Sequence, residues 1–122
     1  MGYRRMLRLI SLAVIGGLAL AGARGPAQAA PTPHAFTVVN VLASGAKIWL
    51  PSAVVIHPGQ QITLTLDNKL DEAHGFSIDE YGIRVVVQPK SKEKVTFTAK
   101  PGVSRFYCQL HPAHVGGQVI VL

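Results

Sequence analysis

The 122-residue chain is poor in sulfur: it has one cysteine, Cys108, and two methionines, Met1 and Met6, both at the extreme N-terminus. A single cysteine excludes an intramolecular disulfide framework, a C-x-x-C redox pair and a four-cysteine zinc or iron–sulfur site. Charge is scarce as well, at 15% of residues against 48% hydrophobic, which excludes a disordered chain. No segment longer than a turn carries a 3.6-residue apolar stripe, so helices are not expected to build the core. One long apolar run is present, Leu9 to Ala23, broken only by Ser11 and glycines. It falls short of the ~20 residues that span a bilayer. Arg4, Arg5 and Arg8 precede it, Pro26 follows it, and Ala27-Gln28-Ala29 closes it with a small-x-small pattern. Residues 1–29 therefore read as a secretory signal peptide, with the mature chain starting at Ala30 and no stable membrane anchor after cleavage.

The formal net charge of +6 suggests nucleic acid or a membrane surface only while that leader is counted. Four of the twelve basic residues (Arg4, Arg5, Arg8, Arg24) belong to it and none of the six acidic ones, so eight face six in residues 30–122. No dense basic stripe is left to neutralise phosphates, and no nucleic-acid partner is expected. Lys90, Lys92, Lys94 and Lys100 cluster near one turn and read as a solvated edge that resists strand-to-strand association.

Residues 30–122 suit one modest domain. Ile62, Leu64 and Leu66 alternate with Gln61, Thr63 and Thr65, as Val95 and Phe97 do with Lys94, Thr96 and Thr98. That is the period of a half-buried strand, rich in β-formers. Further short runs are Phe36–Leu42, Lys47–Leu50, Ala53–His57, His74–Ile78, Ile83–Gln88, Ser104–Cys108 and Gln118–Leu122. Turn signals such as Ser44-Gly45, Pro58-Gly59, Tyr81-Gly82 and Pro101-Gly102 separate them. The expectation is all-β: a Greek-key sandwich or barrel of about eight strands, with Trp49, Phe36, Phe97 and Phe106 filling its interior.

The chemistry concentrates in Phe106-Tyr107-Cys108-Gln109-Leu110-His111-Pro112-Ala113-His114-Val115-Gly116-Gly117. Cys108, His111 and His114 fall at C-x-x-H-x-x-H spacing between two expected strands, and His74 opens a strand upstream. A short loop can turn a thiolate and two imidazoles to one point, and that donor set selects copper or zinc over hard cations. An unpaired thiol in an exported protein needs protection, which metal ligation supplies. A cysteine-protease arrangement lacks its base and cleft, and covalent c-type haem lacks its C-x-x-C-H. Structural zinc on His74, Cys108, His111 and His114 stays open on ligand chemistry alone. His34 and His57 read as surface histidines.

Trp49-Leu50-Pro51, Pro58-Gly59, His74-Gly75-Phe76 and Phe106-Tyr107-Cys108-Gln109-Leu110-His111 make the mature chain resemble the cupredoxins, small mononuclear copper proteins. The resemblance implies one copper ion held by His74, Cys108 and His111. The family's weak axial ligand is most often methionine, with glutamine or a backbone oxygen as alternatives. No methionine remains in residues 30–122, and His114 stands where the shortest family loop, C-x-x-H-x-x-M, has its methionine. A bound His114 would stabilise Cu(II), lower the potential and turn the colour green or red, as in the nitrosocyanin-like sites. Gln109, Gln118 or a carbonyl are the alternatives, and Glu72 is a candidate fifth contact. Gly75 is a second departure, because many members carry an asparagine there that ties the two ligand loops. Asn68 is a candidate to supply part of that support.

The function implied is one-electron outer-sphere transfer by a periplasmic or otherwise exported monomer, not an enzyme, docking a redox protein near His111. Copper storage or delivery, and a red-copper site binding a small molecule, are the alternatives.

Overall fold

Apolar side chains spaced by two residues set one buried face on each long strand, and two such faces close on each other. The structure, a computed structural model, describes residues 22–27 and 32–122. Most of the expected leader lies outside the described residues; among those described, no helix is long and apolar enough to cross a membrane.

The first sheet contains β1 (His34–Ala43), β2 (Ala46–Leu50), β4 (Gln61–Asn68) and β7 (Lys92–Thr98), in the order β2-β1-β4-β7. The second contains β3 (Ala53–Ile56), β8 (Gly102–Phe106) and β9 (Gly117–Val121), ordered β3-β9-β8. β5 (His74–Ile78) and β6 (Ile83–Val87) form a hairpin around a 3-10 turn, Asp79–Tyr81. Ser77 of β5 exchanges backbone hydrogen bonds of 2.9 and 3.1 Å with Tyr107, just past β8, and so joins the hairpin to the second sheet. The chain crosses repeatedly between sheets, which places β1 parallel to β4 and β3 parallel to β9. The result, among the described residues, is a Greek-key sandwich of nine strands, not a closed barrel.

Trp49, Phe76 and Phe106 are fully buried between the sheets. Trp49 meets Phe76 edge-to-face at 5.5 Å, and Phe76 stacks on Phe106 at 5.1 Å. Phe97 is buried as expected, whereas Phe36 only packs against the core's margin. β7 is the outer strand of its sheet, and Lys92 and Lys94 are exposed along it. That edge placement fits charged side chains that block pairing with another chain.

The loop between β8 and β9 is held on both sides. Tyr107 pins its start to Ser77, and Val115 N–H donates to the Lys47 carbonyl at 2.9 Å near its end. Within it, His114 N–H donates to the His111 carbonyl at 3.0 Å, closing a tight turn between the two histidines.

Candidate metal centre

Strand β5 supplies His74 and the β8–β9 loop supplies Cys108 and His111. The ligand atoms of these three residues lie within 4.8 Å of one another. The His74 and His111 rings stand 4.7 Å apart between centroids, and Cys108 Sγ is 3.5 Å from His111 Nδ1. Gly75 N–H donates to Cys108 Sγ at 3.2 Å, a contact that ties the sulfur to the strand carrying His74.

His74 shows most clearly that the trio fits a metal. The residue is completely buried, and neither ring nitrogen has a hydrogen-bond partner. The Glu72 carboxylate, 3.5 Å from His74 Nε2, is too distant to satisfy it and is itself paired with Lys47. Burial, with His114, His111 and Lys47 nearby, pushes the His74 pKa down to about 4. A neutral imidazole with an unclaimed lone pair, beside a thiol that accepts an N–H, is a donor set for a thiophilic metal.

His114 lies against His74, 5.1 Å between centroids, but outside the close trio. Its ring is oriented by a buried polar chain. Asn68 Nδ2 faces the carbonyls of Glu72, Val87 and Gln88 at 2.8, 3.2 and 3.1 Å, and Leu70 N–H donates to Asn68 Oδ1 at 3.1 Å. Those backbone partners fix which way the amide points. Asn68 Oδ1 then accepts from Asn40 Nδ2 at 3.1 Å, so Asn40 presents its oxygen to His114 Nε2 at 2.8 Å. Both ring nitrogens thus face oxygen acceptors, Nε2 the Asn40 side chain and Nδ1 the Val115 carbonyl at 3.1 Å, and a neutral ring donates to one of them. Burial lowers the His114 pKa, which favours that neutral ring. Asn68 thus supports the site at one remove, through Asn40, a residue the sequence reading did not single out. A polar side chain in phase with inward-facing Val38 was the available signal.

The remaining candidates are placed elsewhere. Both polar atoms of the Gln109 amide are engaged, by Ser77 and Val85, and Gln118 is exposed on β9. Glu72 lies beside His74, 3.5 Å from Nε2, but does not join the trio. His34 and His57 are exposed, as expected, and His34 pairs with Gln60. A shallow cavity of about 360 Å³ opens beside the site, lined by Gly45, Ala46, Lys47, His111, Ala113 and His114. A larger one of about 420 Å³, at Ser52, Arg105 and Gln118, contains none of the candidate ligands.

Residues 11–121 match the family described as Cupredoxin-like domain. The chain is a cupredoxin. The nitrous-oxide reductase of Ralstonia nicotianae is 34% identical over 89 residues, covering 70% of this cupredoxin and 14% of that protein. That of Cupriavidus necator is 43% identical over 54 residues, 41% of this chain and 8% of the relative. The cupredoxin thus spans no more than 14% of the length of these relatives. Copper nitrite reductase from Nitrosomonas europaea superposes with a TM-score of 0.63 at 20% identity, over 74% of this chain and 41% of that one. Auracyanin A from Chloroflexus aurantiacus gives a TM-score of 0.58 at 13% identity, over 75% and 100% of the two chains. An amicyanin variant gives a TM-score of 0.53 at 17% identity, over 72% and 82%. These likenesses establish the fold. Cupredoxins bind copper, and His74, Cys108 and His111 could hold one copper ion.

Proposed function

We propose that this cupredoxin is an exported one-electron carrier working in the periplasm or an equivalent space, and not itself an enzyme. The observation that carries the reading is His74, buried with both nitrogens unpartnered beside Cys108 and His111. Copper bound there would supply a Cu(II)/Cu(I) couple. The chain's part is to hold the ligands still. Gly75 N–H donates to the Cys108 sulfur, the core fixes His74, and the Asn68–Asn40 chain fixes His114, which we assign as the fourth ligand.

His111 is half-buried, and Leu110 and Val115 flank it with exposures of 44% and 40%. An apolar rim around a ligand histidine suits brief docking with a redox protein, since such interfaces are small. The lysine cluster adds little steering. Lys92 pairs with Asp67 at 3.6 Å and Lys90 with Asp71 at 3.2 Å, so part of its charge is answered within the chain.

The cavity beside His111 and His114 favours a second reading, in which a small molecule reaches an open copper position. Storage or delivery of copper is the other alternative. The discriminating experiment mixes copper-loaded protein with a redox mediator and, separately, with a copper chelator. Fast electron exchange with copper retained supports the carrier. Slow exchange with ready copper loss supports delivery, and a copper spectrum altered by azide supports the open position.

A further inference from the structure

The residue following the cysteine does no copper chemistry in the scheme above, yet its carboxamide is completely engaged. Gln109 Nε2 donates to the Val85 carbonyl at 2.8 Å, and Ser77 Oγ donates to Gln109 Oε1 at 2.8 Å. Ser77 lies on β5, the strand that carries His74, and Val85 lies on β6 beyond it. Between them the carboxamide passes over Gly75. A Cβ built on Gly75 would overlap Oε1, Cδ and Nε2 of Gln109 together. Backbone conformation does not require glycine here, since its φ is not in the left-handed region; the room is taken by the Gln109 carboxamide while it holds its two hydrogen bonds. Gly75 is also the residue whose N–H donates to Cys108 Sγ and whose carbonyl accepts from Trp49 Nε1 at 3.1 Å.

We propose that Gln109 is the positioning residue of the Cys108 thiolate, a clasp closed from the cysteine loop across Gly75 onto β5 and β6. Gly75 and Gln109 work only as a pair: the missing side chain on β5 is the slot for the side chain from the loop. The two ligand-bearing segments are thereby tied from the cysteine side, which answers the absence of a linking side chain at position 75. The clasp holds Sγ near His74 and His111 before metal arrives. Its consequence for metal binding rests on the copper reading; its consequence for the thiol does not.

The test compares Gln109→Ala, Gly75→Ala and the double variant by two readouts. In the metal-free protein, each single change should speed reaction of the buried Cys108 with an aromatic disulfide about tenfold, because lost hydrogen bonds ease local opening. After Cu(II) addition, each should weaken copper binding roughly 10–100-fold and shift the thiolate-to-copper band. The double variant should match Gln109→Ala alone, since a methyl group at position 75 then fits the vacated slot. Parental thiol rates in Gln109→Ala, or a double variant showing the product of both single effects, would overturn the proposal. Ser77→Ala removes one hydrogen bond without altering the slot. It decides the matter if Gln109→Ala does not fold: a faster thiol reaction supports the clasp and an unchanged one refutes it. Should the parent form no thiolate-to-copper band, the copper reading fails while the thiol rates still judge the clasp.

Discussion

A buried imidazole with two unpartnered nitrogens costs the fold stability, because each unsatisfied polar group is worth roughly 1–3 kcal/mol. His74 carries that cost here, and its titration reports it. The unfolded chain has a histidine pKa of 6.5, whereas burial holds the folded value near 4. Between those values the unfolded chain binds a proton that the folded one refuses, so low pH favours unfolding. Metal-free protein should lose stability as pH falls from 6.5 to about 4, with His114 adding to the loss, and the lowered Asp67 carboxyl should continue it at lower pH. Thermal melts across that range should fall by on the order of 10 °C; a flat profile would contradict a neutral, buried His74. His114 has its own test. Replacing it by methionine should raise the reduction potential and move the copper spectrum towards blue, since a thioether is the weaker donor to Cu(II). Visible and EPR spectra identical to the parent's would remove His114 from the ligand set. Asn40→Ala should cost about 1–3 kcal/mol in urea unfolding by orphaning Asn68 and His114, and should also perturb the EPR spectrum.

Among the elements, β9 depends on its glycines as well as on buried Val119 and Val121. A Cβ on Gly117 would overlap the Phe106 ring and the Ser52 carbonyl, and one on Gly116 would press on the Phe106 carbonyl. Gly117→Ala should therefore lower the urea midpoint, corresponding to about 1–3 kcal/mol of overpacking; an unchanged midpoint would contradict the close approach of β9 to Phe106. Most strands were legible because alternation records one buried face, as in β4 and β7. β5 has all five residues buried and no alternation, and its strand character was visible only from its length and its flanking turns. β1 starts at His34, two residues earlier than its apolar pattern, because His34 and Ala35 pair with Ile62 and Thr63 of β4. Pairing with a partner strand leaves no local sequence mark. The cysteine and histidines declared themselves by donor chemistry and spacing. Asn40 and Gln109 did not, since their roles depend on contacts 74 and 32 residues away along the chain.

At the scale of the whole molecule, the sandwich carries its candidate metal ligands at the end formed by β5 and the β8–β9 loop. The docking proposed at that end makes Leu110→Lys and Val115→Lys specific probes. Both residues are exposed, so stability should change little, within about 0.5 kcal/mol. Electron exchange with a protein partner should slow while exchange with a small mediator stays at the parental rate; equal rates with both would place the docking surface elsewhere. The export proposed above predicts, by intact-mass measurement, a chain beginning at Ala30; a mass retaining residues 1–29 would contradict it. The central claim, that His74, Cys108 and His111 hold a redox-active copper, is tested most directly by optical and EPR spectra after adding one equivalent of Cu(II). The account predicts an intense thiolate-to-copper band, green or red in colour, that a mild reductant bleaches reversibly. Absence of that band together with tight zinc binding would contradict it and leave a structural metal domain.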